Sequence, residues 1–145
     1  MAWFAAHAVM YFRLKSGVQQ GYRVWENVLL VQASDSREAW ERGIELARLE
    51  EGDDGGSLRI DDQPCELVFG GLRKVVEVSH VGIENVPQHG DEISYSEFEV
   101  ADAGVLRRLI AGEDVAVEYL GCAGPDTPVG PPNEGGEDGH EPRQS

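Results

Sequence analysis

Two stretches dense in aromatic and aliphatic residues flank a short glycine-bearing link, and this pairing constrains the fold more than any other feature. Trp3 to Leu14 reads as a first strand, its end marked by Arg13 and Lys15. Tyr22 to Ala33 (Tyr-Arg-Val-Trp-Glu-Asn-Val-Leu-Leu-Val-Gln-Ala) reads as a second. The link, Ser16 to Gly21, holds Gly17 and Gly21, as a hairpin turn or loop does. So short a connection makes an antiparallel pair the default, because parallel neighbours need a crossover of roughly a dozen residues or more.

The period then changes. Asp35, with Glu38 three residues on, forms a capping-box-like pair that predicts a helix start. Trp40, Ile44 and Ala47 recur at helical spacing, with Ala39 and Gly43 beside them, so this stripe is expected to pack on the sheet. Glu41, Arg42, Glu45 and Arg48 take much of the other face. The run Gly52-Asp53-Asp54-Gly55-Gly56 is a loop.

Strand-like sequence resumes with Leu58 to Ile60, a turn at Asp61 to Pro64, and a long run from Glu66 to Val78. Gly70-Gly71 inside that run predicts a bulge or bend. His80 to Asp91 reads as a loop, and Glu92 to Val100 as a strand whose apolar set changes face midway. Asp102 is expected to cap a second helix that presents Val105, Leu106, Leu109 and Ile110 on one face and ends at Gly112. Val115 to Leu120 is a last short strand. The predicted order is β-β-α-β-β-β-α-β, an α+β fold in which two helices pack an antiparallel sheet.

Composition divides the chain at Gly121. Residues 122–145 are Gly, Pro, Asp and Glu with almost nothing to bury, and they hold five of the seven prolines. Such a segment cannot offset its ordering entropy, so a disordered tail is expected after a folded domain over residues 1–121. The net charge is −15, of which −4 falls on the tail and −11 on residues 1–121. That charge repels nucleic-acid phosphate and an anionic membrane surface, and attracts a basic protein. It also serves solubility alone. No apolar run approaches the ~20 residues of a spanning helix. The N-terminal stretch lacks a basic region, and His7 interrupts it, so a signal peptide is not expected. With two cysteines, Cys65 and Cys122, the chain reads as a cytoplasmic protein with free thiols, Cys65 buried or half-buried in a strand.

Several short elements resemble a known family. They are Trp3-Phe4-Ala5-Ala6, Glu26-Asn27-Val28-Leu29-Leu30, the Ala33 to Ala39 helix entry, Leu67-Val68-Phe69-Gly70 and Gly90-Asp91-Glu92-Ile93-Ser94-Tyr95. Over roughly residues 3–100 the chain resembles the bacterial domain of unknown function 4288 family. The stretch from Gly52 to Pro64 departs from it, lacking the Asn and Gly-Glu turn that the family pattern places before the third strand. The second helix, last strand and tail lie beyond the match. The family has no established activity, so the resemblance implies a bacterial, cytoplasmic, non-secreted protein and no catalytic residue.

No catalytic or cofactor motif stands out. His7, His80, His89 and His140 form no metal-binding spacing. His80, His89 and Asp91, with Glu84, share one loop, for which a solvated loop is the ordinary reading. His7 lies in a strand, where a half-buried, hydrogen-bonded histidine is usual. Cys65 has no local nucleophile signature. None of Ser34, Ser36, Ser57, Ser79, Ser94 and Ser96 sits in a Gly-x-Ser-x-Gly elbow, which argues against a serine hydrolase. The acidic glycine-rich loop at 52–56 leaves a helix and would repel phosphate. Asp53, Asp54, Asp61 and Asp62 lack EF-hand spacing for a hard cation. Glu97 and Glu99 share a strand face, ordinarily an exposed one. Trp25, beside Glu26, could form an aromatic groove with Trp3, although such aromatics are more often core.

These absences point to a non-catalytic protein-interaction module, in its sharpest form an acidic inhibitor or immunity-type protein for a basic partner. One alternative is a small-ligand-binding protein or enzyme with its site by the 80–95 loop. The other is an oligomeric scaffold that dimerises through a strand edge. The candidate binding residues are Trp25, Glu26, His80, His89, Glu92 and Tyr95. No cofactor and no metal are expected.

Overall fold

The computed structural model describes residues 1–78 and 86–121. The expected tail, with His80, Glu84, Ser79, Cys122 and His140, lies outside the described residues.

The element order is the one predicted: β1 (Ala2–Leu14), β2 (Val24–Ala33), α1 (Ser36–Arg48), β3 (Arg59–Ile60), β4 (Gln63–Glu77), β5 (Glu97–Glu99), α2 (Ala103–Ile110) and β6 (Glu118–Leu120). The fold is α+β. β1 and β2 form the expected antiparallel pair in unbroken register from Ala2↔Ala33 to Tyr11↔Val24. A four-stranded sheet runs in the order β2-β1-β4-β3, and β5 pairs with β6 apart from it. Since β1 is antiparallel to both neighbours, β2 and β4 run parallel, with α1 carrying the chain across β1 between them.

Asp35 caps α1 by accepting from the Glu38 N–H at 2.8 Å. The reciprocal half of a capping box is displaced by one residue. Glu38 Oε1 accepts from the backbone N–H and hydroxyl of Ser34 (2.7 and 2.6 Å) rather than from the Asp35 N–H. Asp102 caps α2 in the same way, accepting from the Val105 N–H at 2.9 Å.

The core lies between α1 and one face of the sheet. Phe4, Ala6, Ala8 and Met10 of β1, Val31 and Ala33 of β2, and Leu72 of β4 meet Ala39, Trp40 and Ala47 of α1. The many alanines let the helix approach closely. A Cβ at Gly43 would stand 3.0 Å from Ala6 Cβ and 3.1 Å from a Leu72 methyl. Gly43→Leu should therefore overpack this contact and cost about 1–3 kcal/mol. Urea unfolding checks it, and an unchanged midpoint would contradict so close a contact.

Among the described residues, α1 is the one helix that packs on the sheet. α2 carries no buried residue, and its apolar Leu106 and Ile110 are exposed. The predicted strand at 92–100 is reduced to Glu97–Glu99. Residues 93–96 instead lie against the sheet face opposite α1, held there by side-chain bonds from β1 and β4.

β4 is irregular. Its register against β1 shifts between His7 and Ala8 and between Val9 and Met10, leaving Arg73 and Gly70 as extra residues. The second shift is the bulge read from Gly70-Gly71. The first was not legible, since Arg73 carries no turn chemistry.

Candidate functional site

Period-2 alternation divides the sheet into two faces. His7 is paired with Val28 on β2 and Lys74 on β4, so these three share the face opposite α1. Glu26 lies two residues from Val28 and joins them. The Arg73 bulge completes the set: Leu72 stays in the core, while Arg73 and Lys74 both turn to the open face. A bulge re-aims a side chain in this way.

The result is a connected polar cluster on an otherwise apolar scaffold. Glu26 Oε2 accepts from His7 Nδ1 at 2.7 Å and from Arg73 Nε and Nη2 at 3.0 and 2.8 Å. His7 Nε2 meets Ser94 Oγ. The Lys74 ammonium donates to the Tyr95 carbonyl and lies 4.6 Å from the Tyr95 ring centroid. The Arg73 guanidinium stacks over Tyr119 of β6, 4.2 Å from its centroid. These contacts join the 94–96 segment and the β5–β6 pair to the main sheet.

Burial dominates the titration of His7 and lowers its pKa, against the opposing pull of Glu26. Burial alone would raise the Glu26 pKa, but the bonds from Arg73 and His7 outweigh it and hold the carboxyl below its ordinary value. Lys74 is lowered, chiefly by burial and then by its neighbour Arg73. The cluster at neutral pH is thus an ionised Glu26 between an Arg73 cation and a neutral His7. An ionised carboxylate only accepts, so the proton of His7 sits on Nδ1. The Nε2 lone pair is left facing Ser94.

Of the predicted binding residues, Glu26 and Tyr95 come together here. His89 and Glu92 are exposed on the chain leading to Ser94, and His80 lies outside the described residues. Trp25 is paired with Met10, which puts it on the α1 side of the sheet. It is half-exposed beyond the helix, edge-on to Phe12 with centroids 5.0 Å apart. It is not a core residue and does not touch the cluster, and Trp40 is the tryptophan of the core. Sequence reasoning missed His7, Arg73, Lys74 and Ser94 as a group. Ser94 and His7 are 87 residues apart, and no local motif spans that distance.

Among the described residues, the cluster borders an open strand edge. β2 is the outermost strand of its sheet. Arg23 O points inward to the Phe12 N–H, and Gln32 O points outward to Arg42. By alternation, Val24, Glu26, Val28 and Leu30 present their N–H and C=O groups to the free edge. Their side chains lie on the cluster's face, where Val24, Val28 and Leu30 are 51%, 44% and 42% exposed. The outer edge of β4 differs. Gly52, Leu58 and the Glu51 carboxylate bond to Leu67, Cys65 and Phe69 along it.

Other places hold less chemistry. A cleft of about 400 Å³ between the 18–23 link and β3 is lined by Phe12, Val18, Tyr22 and Ile60, with an Arg23–Asp61 pair at 3.7 Å. Among the described residues no three His, Cys, Asp or Glu converge as metal ligands, and no helix is long and apolar enough to cross a membrane. No family model, curated protein or solved structure matches the chain.

Proposed function

We propose that the chain is a protein-interaction module that takes an extended segment of a basic partner along the free edge of β2. The observation that carries this reading is the unguarded edge. Within a strand of ten residues, Val24, Glu26, Val28 and Leu30 turn their backbone groups outward, with no proline, no lysine and no bulge to blunt them. Proteins usually protect such edges, because they are templates for another strand. Strand addition draws affinity from main-chain bonds and specificity from alternate side chains, which here are Val24, Val28 and Leu30.

Charge selects the partner. The −11 carried by residues 1–121 steers a basic protein and repels an acidic one. α1, which flanks β2, exposes Glu41 and Glu45 toward solvent. An inhibitor or immunity-type role toward a basic protein is the sharper form of the same reading. Cys65, a buried free thiol, fits a reducing cytoplasm.

The test uses fluorescent decapeptides of alternating Lys and Val, with alternating Glu and Val as the control. The Lys peptide should bind at low salt and weaken about tenfold or more as salt rises from 50 to 300 mM, because surface charge is screened. The Glu peptide should not bind. Val28→Pro removes an outward N–H only. Proline is tolerated on a solvent-facing edge, so this variant should keep its fold and lose the peptide. Equal binding of both peptides would overturn the reading. So would a concentration-dependent dimer in sedimentation that Val28→Pro dissociates, since the edge would then belong to a second copy.

A further inference from the structure

We propose that Ser94 is an activated nucleophile, with His7 as its general base and Glu26 as the residue that positions His7, acting on uncharged or cationic carboxylic esters with a short aliphatic acyl group. The catalytic residues owe nothing to strand addition at β2, with which the site shares only the exposed Val28 and Leu30. It rests on three residues from β1, β2 and the 93–96 segment that meet as nucleophile, base and orienting carboxylate. Such a constellation is recognised by geometry and roles rather than by order along the chain.

Each member is held in the required state. Glu26 accepts from His7 Nδ1 at 2.7 Å and from Arg73 at 2.8 and 3.0 Å, so the imidazole is fixed with its proton on Nδ1. The free Nε2 lone pair meets Ser94 Oγ, and the hydroxyl proton has a base to receive it. His7 is 3% exposed, whereas Ser94 is only half-buried; the base is shielded and the nucleophile reachable. Lys74 bonds the carbonyl of Tyr95, the next residue after Ser94, and so fixes the backbone that carries the hydroxyl.

The surroundings choose the substrate. Val28 and Leu30 lie exposed on the same face, next to Glu26 along β2, and offer an apolar rest for an aliphatic acyl chain. The acidic surface disfavours phosphoesters and other anionic esters.

The reaction balances with water as the only co-reactant. Ser94 Oγ passes its proton to His7 Nε2 and bonds to the ester carbonyl carbon, whose π pair moves to oxygen. Collapse breaks the bond to the leaving alkoxide, which takes the proton from His7. Water then attacks the acyl-Ser94 carbonyl, gives a proton to His7, and releases the carboxylic acid as Ser94 regains that proton.

The same bonds would also pin the 94–96 segment without any chemistry, so the test must read chemistry. The full chain is treated with a fluorophosphonate, which phosphonylates an activated serine with loss of fluoride, and p-nitrophenyl butyrate turnover is followed in parallel. A single adduct is expected, mapped to Ser94 by peptide mass spectrometry and absent from heat-denatured protein. Ser94→Ala, at a half-buried site where the fold should survive, abolishes both signals. Glu26→Gln keeps an acceptor but removes the charge; it should slow labelling by roughly 10²-fold or more and change its pH profile. Labelling of the wild type should rise with pH as His7 loses its proton. Three results would overturn the proposal. They are no adduct on natively folded protein, equal labelling of the denatured chain, and turnover by Ser94→Ala at the wild-type rate. A Ser94→Ala variant that loses thermal stability while the wild type takes no adduct assigns the cluster to structure alone.

Discussion

Trp40→Ala should cost about 3–5 kcal/mol of folding stability, toward the upper part of that range. Trp40 is the largest side chain of α1 in the core, and the residues gathered with it include Ala6, Ala8, Ala33, Ala39 and Ala47. Alanines have no rotamers with which to fill a vacated volume, so the cavity should persist rather than collapse. Total stabilities of small domains run to roughly 5–15 kcal/mol, so this one change removes a large share. Urea unfolding of the two proteins measures it. Trp40→Phe, which keeps most of the volume, should recover more than half of the loss. A cost below about 1 kcal/mol would mean that the helix does not pack through this residue.

Glu26→Ala should cost about 2–4 kcal/mol, because hydrogen bonds to charged groups are strong and lost partners remain behind. The figure is held below that of a fully buried pair because the Glu26 and Arg73 side chains keep 21% and 22% exposure. Removal of the carboxylate leaves Arg73 with only the long bond to the Ser96 hydroxyl among its side-chain acceptors, at 3.5 Å, and the buried His7 without its carboxylate on Nδ1. The substitution also separates two acid transitions. His7 has a folded pKa below the ordinary ~6.5. The unfolded chain therefore takes up a proton first, and stability falls as pH drops below that value toward the folded pKa. Glu26 is likewise lowered; its contribution is complete above the ordinary carboxylate range and is lost as pH falls through its folded pKa. Wild type should show both losses. Glu26→Ala should keep the first and lack the share of the second that belongs to Glu26, leaving the part due to Glu38 and Asp53, whose carboxyls are also held below their ordinary values. Stability measured from pH 8 to 3 distinguishes them, and identical profiles would contradict the assigned pairing.

The local elements were legible because short-range chemistry writes them. The hairpin follows from two apolar runs and a link too short for a crossover. Both helix starts follow from Asp35 and Asp102, whose carboxylates accept the N–H three residues on. The Trp40, Ile44 and Ala47 stripe follows from the helical period. The Gly70 bulge was visible because glycine pairs seldom sit in an undisturbed ladder. α2 was legible as a helix but not in its placement, since an apolar stripe predicts a face to be covered and does not name what covers it.

The candidate site was mostly invisible. Glu26 and Tyr95 drew notice only as part of a looser set. His7 read as an ordinary strand histidine, and Ser94 as one of several serines outside any elbow motif. What joins them is the pairing of β1 with both β2 and β4, an Arg73 bulge that turns two successive cations to one face, and a 93–96 segment lying across that face instead of extending as a strand. The sequence by itself determined the order of elements, the helix caps and the acidity, because each depends on neighbours within a few positions or on composition alone. Only the tertiary structure decided which side chains share a face and which strand edge stays open. Register and bulges set those, and they come from contacts between residues as far apart as His7 and Ser94.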